Sequence, residues 1–180
     1  SKLKRKSNVK NDPLKLVIAI GSATYLTAHL KILSALKSFD CFNVTYLVDD
    51  PSLLDAFVDT NGIKFVHHTT RVDKLFETAD LSIVSGGYTK IEALVSRTPF
   101  LMISTQYHQV KLAEHFEKIT GFEHVGYESQ IEISEIENAL DTLTRKIRGG
   151  DISKHQWNLS QQIFKGREKV LELIKENLKT

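Results

Sequence analysis

The chain has 180 residues, 41% of them hydrophobic and 26% charged, with a formal net charge of +2. That is the size of one domain able to bury a core, and so even a charge balance demands neither nucleic acid nor an acidic membrane as a partner. The single cysteine, Cys41, excludes an internal disulfide and fits a reducing, cytoplasmic setting, and no apolar run nears the roughly 18 residues that a membrane span requires.

Residues 1–13 read as a linker, made basic by Lys2, Lys4, Arg5, Lys6 and Lys10 and closed by Asn11-Asp12-Pro13. Its plain reading is a solvated segment rather than an arm for a polyanion. No signal peptide precedes the first strand, and Ser1 in place of a methionine points to a processed tag or an excised piece. Leu14 to Ile20 is a short apolar strand stopping at Gly21. Leu26, Leu30, Leu33 and Leu36 then recur at helical spacing. A second strand, Phe42 to Val48, ends at Asp49-Asp50. The Asp followed by Pro51 predicts a helix start, with Leu53, Leu54, Phe57 and Val58 inside and Gly62 at its end.

The alternation continues with a strand over Ile63 to Val66 and a short helix over Val72 to Phe76. A strand over Leu81 to Val84 and a helix over about Tyr88 to Ser96 follow, then a strand over Phe100 to Ile103. A helix from about Gln109 to Thr120 stops at Gly121, and Val125 marks a sixth strand. Ser134 and Glu137 have capping-box spacing ahead of Ile136, Leu140, Leu143 and Ile147. Gly149-Gly150 breaks the chain before a helical tail, 148–180, carrying Val170, Ile174 and Leu178.

Strands of four to seven residues that are nearly all apolar must be covered on both faces. Their alternation with helices therefore predicts a doubly wound, mostly parallel Rossmann-like α/β sheet of about six strands over residues 14–180. Ligands of such sheets sit outside the carboxyl ends of the strands. Here those ends are Gly21-Ser22-Ala23-Thr24, Asp49-Asp50, His67-His68-Thr69-Thr70, Ser85 to Thr89, and Thr105 to Gln109, rich in small, hydroxylated and imidazole groups.

The sharpest pattern is Ile83-Val84-Ser85-Gly86-Gly87-Tyr88-Thr89-Lys90-Ile91-Glu92, a strand turning through two glycines into a helix. Glycines let backbone approach an oxyanion, and amides at a helix start attract phosphate. Ser85 and Thr89 add hydroxyl donors, and Glu92, one turn on, can accept from the two hydroxyls of a ribose. The plain alternative is a tight turn followed by a solvated glutamate.

The stretch Leu75-Phe76-Glu77-Thr78-Ala79-Asp80-Leu81-Ser82-Ile83-Val84-Ser85-Gly86-Gly87, with Glu92-Ala93-Leu94, Thr98-Pro99 and His108-Gln109, resembles the C-terminal domain of GT-B glycosyltransferases. It is most similar to the branch holding the UDP-sugar hydrolase of pseudaminic acid biosynthesis and the spore-coat polysaccharide proteins. The lipid II-forming N-acetylglucosaminyltransferase has a comparable run. The resemblance extends to about Gly126, with a fainter echo in Phe164 to Val170.

This resemblance implies a nucleotide-sugar, UDP-sugar above all, bound as substrate with no further cofactor. It implies that Gly86, Gly87 and Thr89 hold the diphosphate and Glu92 the ribose, while the loop Val66-His67-His68 reads the base. Gly21 and Ser22 would approach the phosphates, and His108 and Gln109 would face the sugar. The first loop departs from the Gly-Gly-Ser/Thr-Asp of the hydrolases, and Tyr88, replacing a small residue, is expected to narrow the site. The family places its catalytic groups mainly on an N-terminal Rossmann-like domain. The chain is thus expected to be one half that pairs with such a domain, in the same product or as a separate subunit, and to turn over little alone.

Three other readings compete. His67-His68 invites a metal, yet adjacent histidines diverge and no other ligand stands at suitable spacing. Asp49 ends the second strand where an NAD ribose would bind, although Gly21-Ser22-Ala23-Thr24-Tyr25-Leu26 lacks the Gly-x-Gly-x-x-Gly fingerprint of a dinucleotide oxidoreductase. A non-catalytic binding or assembly module is the third. His108 has no Gly-x-Ser-x-Gly elbow to serve, which removes a serine hydrolase.

Overall fold

The computed structural model describes residues 12–22, 24–50, 62–67, 69 and 71–152. Six strands lie among them: β1 (Leu14–Ala19), β2 (Phe42–Leu47), β3 (Ile63–Val66), β4 (Leu81–Ser85), β5 (Phe100–Ser104) and β6 (His124–Tyr127). Five helices accompany them: α1 (Leu26–Leu36), α2 (Val72–Thr78), α3 (Thr89–Val95), α4 (Tyr107–Thr120) and α5 (Ile133–Gly149). The expected helix after Pro51, the tail beyond residue 152 and the basic linker up to residue 11 lie outside the described residues.

The strands form one sheet in the order β3-β2-β1-β4-β5-β6, and every neighbouring pair is parallel. Order reverses between β1 and β4, where Ile18 stands opposite Ile83 and Ala19 opposite Val84. Side chains alternate across the sheet, so each strand feeds two cores. Leu16, Ile18 and Ile20 of the first strand pack with Ile32, Leu33 and Leu36 of α1 and with Ile136, Leu140 and Leu143 of α5. Val17 and Ala19 face the other way, joining Phe76, Ala93, Leu94, Phe100, Met102, Ala113 and Phe122. Two-sided burial is most complete in β4 and β5, where every residue is buried.

Local chemistry sets the element ends. Gly121 takes φ +72 and stops α4, as an αL residue does after a helix. The predicted capping box is displaced by two residues. Glu132 and Glu135 form it, the Glu135 carboxylate accepting from the Glu132 amide at 2.6 Å, and Ser134 lies within the first turn of α5. A glutamate at the N-cap accepts from the N3 amide as a serine there would, so spacing alone did not separate the two pairs. The stripe on α1 also turns: Ala28, His29, Ile32, Leu33, Ala35 and Leu36 are buried, while Leu26 and Leu30 are only half-buried.

Candidate functional site

The loops at the carboxyl ends of β1 and β4 flank the switch point, the place a doubly wound sheet reserves for a ligand. A cleft of about 230 Å³ opens there, lined by Ala19, Gly21, Leu47, Val48, Asp49, Thr69 and Thr89. Beside it, a second and more apolar groove of about 420 Å³ runs between α3 and α4, past Tyr88, Lys90, His108, Leu112 and Phe116. Gly86 and Gly87 line the groove and Thr89 lines the cleft, so the turn that joins β4 to α3 divides the two.

The β1 loop is held from beneath. His29, fully buried on α1, pairs through Nδ1 with the Tyr46 hydroxyl at 2.8 Å and through Nε2 with the Ser22 carbonyl at 3.0 Å. A ring donating to that carbonyl from Nε2 accepts the tyrosine proton at Nδ1, so the neutral imidazole satisfies both contacts. Desolvation lowers the His29 pKa below its ordinary 6.5, against the opposing pull of the Ser22 carbonyl and the Asp49 charge. Gly21, at φ +107, is exposed on the cleft, and Tyr25 stacks 3.5 Å from where its Cβ would lie. The Ser22 hydroxyl accepts from the Thr24 amide at 3.3 Å and bonds the Thr24 hydroxyl at 3.1 Å. Tyr25 in turn accepts from the Gln106 side-chain amide, tying this loop to the one after β5.

The β4 turn differs in detail from the expectation. The Gly86 amide is spent on the Ile103 carbonyl at 3.1 Å, continuing the ladder with β5, and the Gly87 amide donates to the Ser85 hydroxyl at 3.2 Å. Neither glycine amide is open to an anion, a correction to the cradle expected at Gly86 and Gly87. The amides without a partner among the described residues are the next three, of Tyr88, Thr89 and Lys90. The phosphate-ready backbone therefore begins one residue later than the glycines suggest.

The Ser85 and Thr89 hydroxyls lie 2.9 Å apart, and the Thr89 oxygen also accepts from the Ser85 amide at 3.2 Å. Two hydroxyls sharing one bond leave one proton to donate, and Thr89 is the member on the cleft. Ser85, nearly buried, is a brace for the turn rather than an independent donor.

Gln109 has a structural part as well. The residue is buried, and its Oε1 accepts from the Thr105 amide at 3.1 Å, so half of the side chain is committed to shaping the β5 loop. Its Nε2 lies 3.6 Å from where a Gly87 Cβ would be, on the wall of the groove. His108 is exposed at the same groove. Tyr88 is 86% exposed, on the lining of the groove and not of the cleft.

Glu92 stands one turn beyond Thr89. Partial desolvation, then the neighbouring Asp73 charge, raises its pKa, and Asp73 itself is held low by a hydrogen bond from Arg71. Glu92 thus stands near Asp73 of α2, while Thr69 lines the cleft. His67 is exposed, and His68 lies outside the described residues. Among the described residues no three histidine, cysteine or acidic side chains gather as a metal site would require.

Sequence reasoning missed Lys90 and His29. Lys90 is buried at 6% exposure, and its ammonium donates to the Gly86 carbonyl and, at 2.7 Å, to the Gly87 carbonyl, while lying 5.5 Å from the centre of the Phe116 ring. A lysine on a short helix reads as solvated, and nothing local marks this one as turned inward.

No family model matches the chain, and no curated protein matches it. Solved structures do. Spinosyn rhamnosyltransferase SpnG complexed with thymidine diphosphate aligns with a TM-score of 0.67 at 15% identity, over 96% of this chain and 48% of that one. MurG of Acinetobacter baumannii aligns with a TM-score of 0.62 at 16% identity, over 93% of this chain and 55% of that one. Glycosyltransferase VinC in complex with dTDP aligns with a TM-score of 0.60 at 15% identity, over 97% and 44%. At these identities the likeness is one of fold. The chain has the architecture of one Rossmann-like half of GT-B glycosyltransferases and spans about half the length of the solved structures it matches.

Proposed function

We propose that this chain is the nucleotide-sugar-binding, C-terminal-type half of a GT-B glycosyltransferase or a related sugar-nucleotide hydrolase. The observation that carries the reading is the placement of the β4 turn. It stands at the switch point with unpaired amides at Tyr88, Thr89 and Lys90 and a Thr89 hydroxyl on the cleft wall, and such amides favour an anion. Two of the similar folds carry thymidine diphosphate.

In this reading the diphosphate lies over the turn, bonded by those amides and the Thr89 hydroxyl. The Glu92 carboxylate accepts from the ribose hydroxyls. The base lies toward Thr69 and the loop of His67 and His68. The sugar reaches the rim of the groove, where His108 and the free Nε2 of Gln109 meet it. A pyrimidine base is proposed, UDP ahead of dTDP. The catalytic groups are assigned to a second Rossmann-like half, which also closes the site against water.

Asp49 on the cleft wall keeps a dinucleotide reading in view, so the test includes it. Titration calorimetry of the chain with UDP, dTDP, GDP and NAD is expected to give the tightest binding with a pyrimidine nucleoside diphosphate. Glu92→Ala should weaken it by roughly 1–3 kcal/mol, the cost of stranding ribose hydroxyls. Binding of NAD alone, or a Glu92→Ala affinity equal to the parent's, would overturn the assignment of the cleft or of Glu92 respectively.

A further inference from the structure

We infer that Lys90 is a positioning residue for the diphosphate, acting through the two peptide units of the β4 turn. The inference rests on the nucleotide-binding reading and names the group that gives the turn its selectivity for charge.

Three observations converge on it. The Lys90 ammonium is buried and donates to the carbonyls of both Gly86 and Gly87. It makes no ion pair with a carboxylate among the described residues. The charge of Lys90 is felt by the His124 ring, whose own pKa is lowered chiefly by burial and slightly by Lys90. A buried cation without a counter-charge is costly, and burial accordingly lowers the Lys90 pKa. Phe116 offsets part of that cost through its ring face. An anion across the turn would offset more.

Peptide geometry says where that anion sits. The described peptides are all trans, and in a planar trans peptide the C=O and the N–H point in opposite directions. With the Gly86 and Gly87 carbonyls turned to the ammonium, the following amides, of Gly87 and Tyr88, are turned away from it. The Gly87 amide meets Ser85; the Tyr88 amide has no partner among the described residues. A cation on the oxygen end and an anion on the N–H end of one peptide both align with its dipole and polarise it further. Lys90 thus fixes the direction of the Tyr88 amide and strengthens it as a donor. The effect should grow with the charge lying over the turn, being largest for a diphosphate, less for a monophosphate and absent for a nucleoside.

The test is calorimetry of the folded chain with UDP, UMP and uridine against Lys90→Met and Lys90→Arg. Lys90→Met should lose about tenfold or more in UDP affinity, two- to threefold in UMP affinity and nothing for uridine, while Lys90→Arg, which keeps the charge and the donors, recovers most of the UDP affinity. Should Lys90→Met not fold by circular dichroism, Lys90→Gln, neutral but still able to donate to one carbonyl, gives the same comparison. An equal loss for all three ligands, or no loss for any, overturns the role of Lys90 while leaving the nucleotide reading intact. A parent chain that binds uridine, UMP and UDP equally, or not at all, overturns both.

Discussion

At the scale of single residues, the two glycines of the β4 turn serve different ends. A Cβ on Gly86 would lie 2.8 Å from the Ser104 hydroxyl and 2.9 Å from the Gln109 Cβ. Ser104 is fully buried and bonded to His124 at 2.9 Å, so neither neighbour can give way. A Cβ on Gly87 would meet only the Ser85 hydroxyl, at 3.2 Å, and the Gln109 amide at 3.6 Å. Gly86→Ala should therefore destabilise the fold by about 1–3 kcal/mol, as overpacking of a filled core does, and Gly87→Ala by well under half of that. Urea unfolding of the two variants checks it, and equal losses would show that the turn relaxes around either methyl. The double glycine was legible in the sequence as a turn; the direction of its amides was not. The Gly86 amide is claimed by Ile103, seventeen positions away on another strand, and no local pattern announces a partner that only the sheet supplies. Lys90 escaped for the same reason, since its burial depends on Phe116 from α4.

At the scale of elements, strands were easier to read than helix ends. Two-sided burial leaves an apolar run that survives any error in register, as in β4 and β5, which are buried along their whole length, whereas β6, His124–Tyr127, is half-buried and was marked in the sequence by Val125 alone. A helix start depends on which of several polar side chains reaches back to an amide, which is how Glu132 displaced Ser134 in the capping box of α5. On α1 the inward turn of His29 could not be inferred from spacing, because its partners are Tyr46 on β2 and the carbonyl of Ser22. That contact has a pH signature. The native ring has a lowered pKa, so as pH falls below the ordinary 6.5 the unfolded chain takes up a proton that the folded chain refuses. The stability contributed by the neutral ring is present above 6.5 and is lost as pH falls toward the lowered native value. His29→Gln should cost about 1–3 kcal/mol near neutral pH through the stranded Tyr46 hydroxyl, yet lose less stability than the parent on acidification. His124, lowered in the same direction, remains to give the variant a residual slope. Thermal unfolding followed from about pH 8 to pH 5 measures both quantities, and parallel curves for the two proteins would mean that His29 does not carry the acid sensitivity.

At the scale of the whole molecule, large side chains stand uncovered beside the cleft. Among the described residues, Tyr88, Tyr107 and Leu112 are 86%, 75% and 59% exposed, and Tyr88 and Leu112 border the groove beside the cleft. Large apolar side chains exposed together around a polar site suit a surface that a second body covers. The solved structures of this fold are about twice as long as the chain. In the proposed reading a diphosphate is held by backbone amides and one threonine hydroxyl, and among the described residues lining the cleft Asp49 is the only one able to act as a general acid or base. Binding and turnover should therefore separate. The chain alone is expected to bind a pyrimidine nucleoside diphosphate, yet to convert a UDP-sugar at least about a hundredfold more slowly than when a second Rossmann-like half is supplied, because positioning and water exclusion each account for factors of that size. Release of UDP from a UDP-sugar, followed for the chain alone and with the second half added in trans, measures the ratio. Equal rates in the two mixtures would place the catalytic groups on this chain, with His108 and Asp49 the first to substitute.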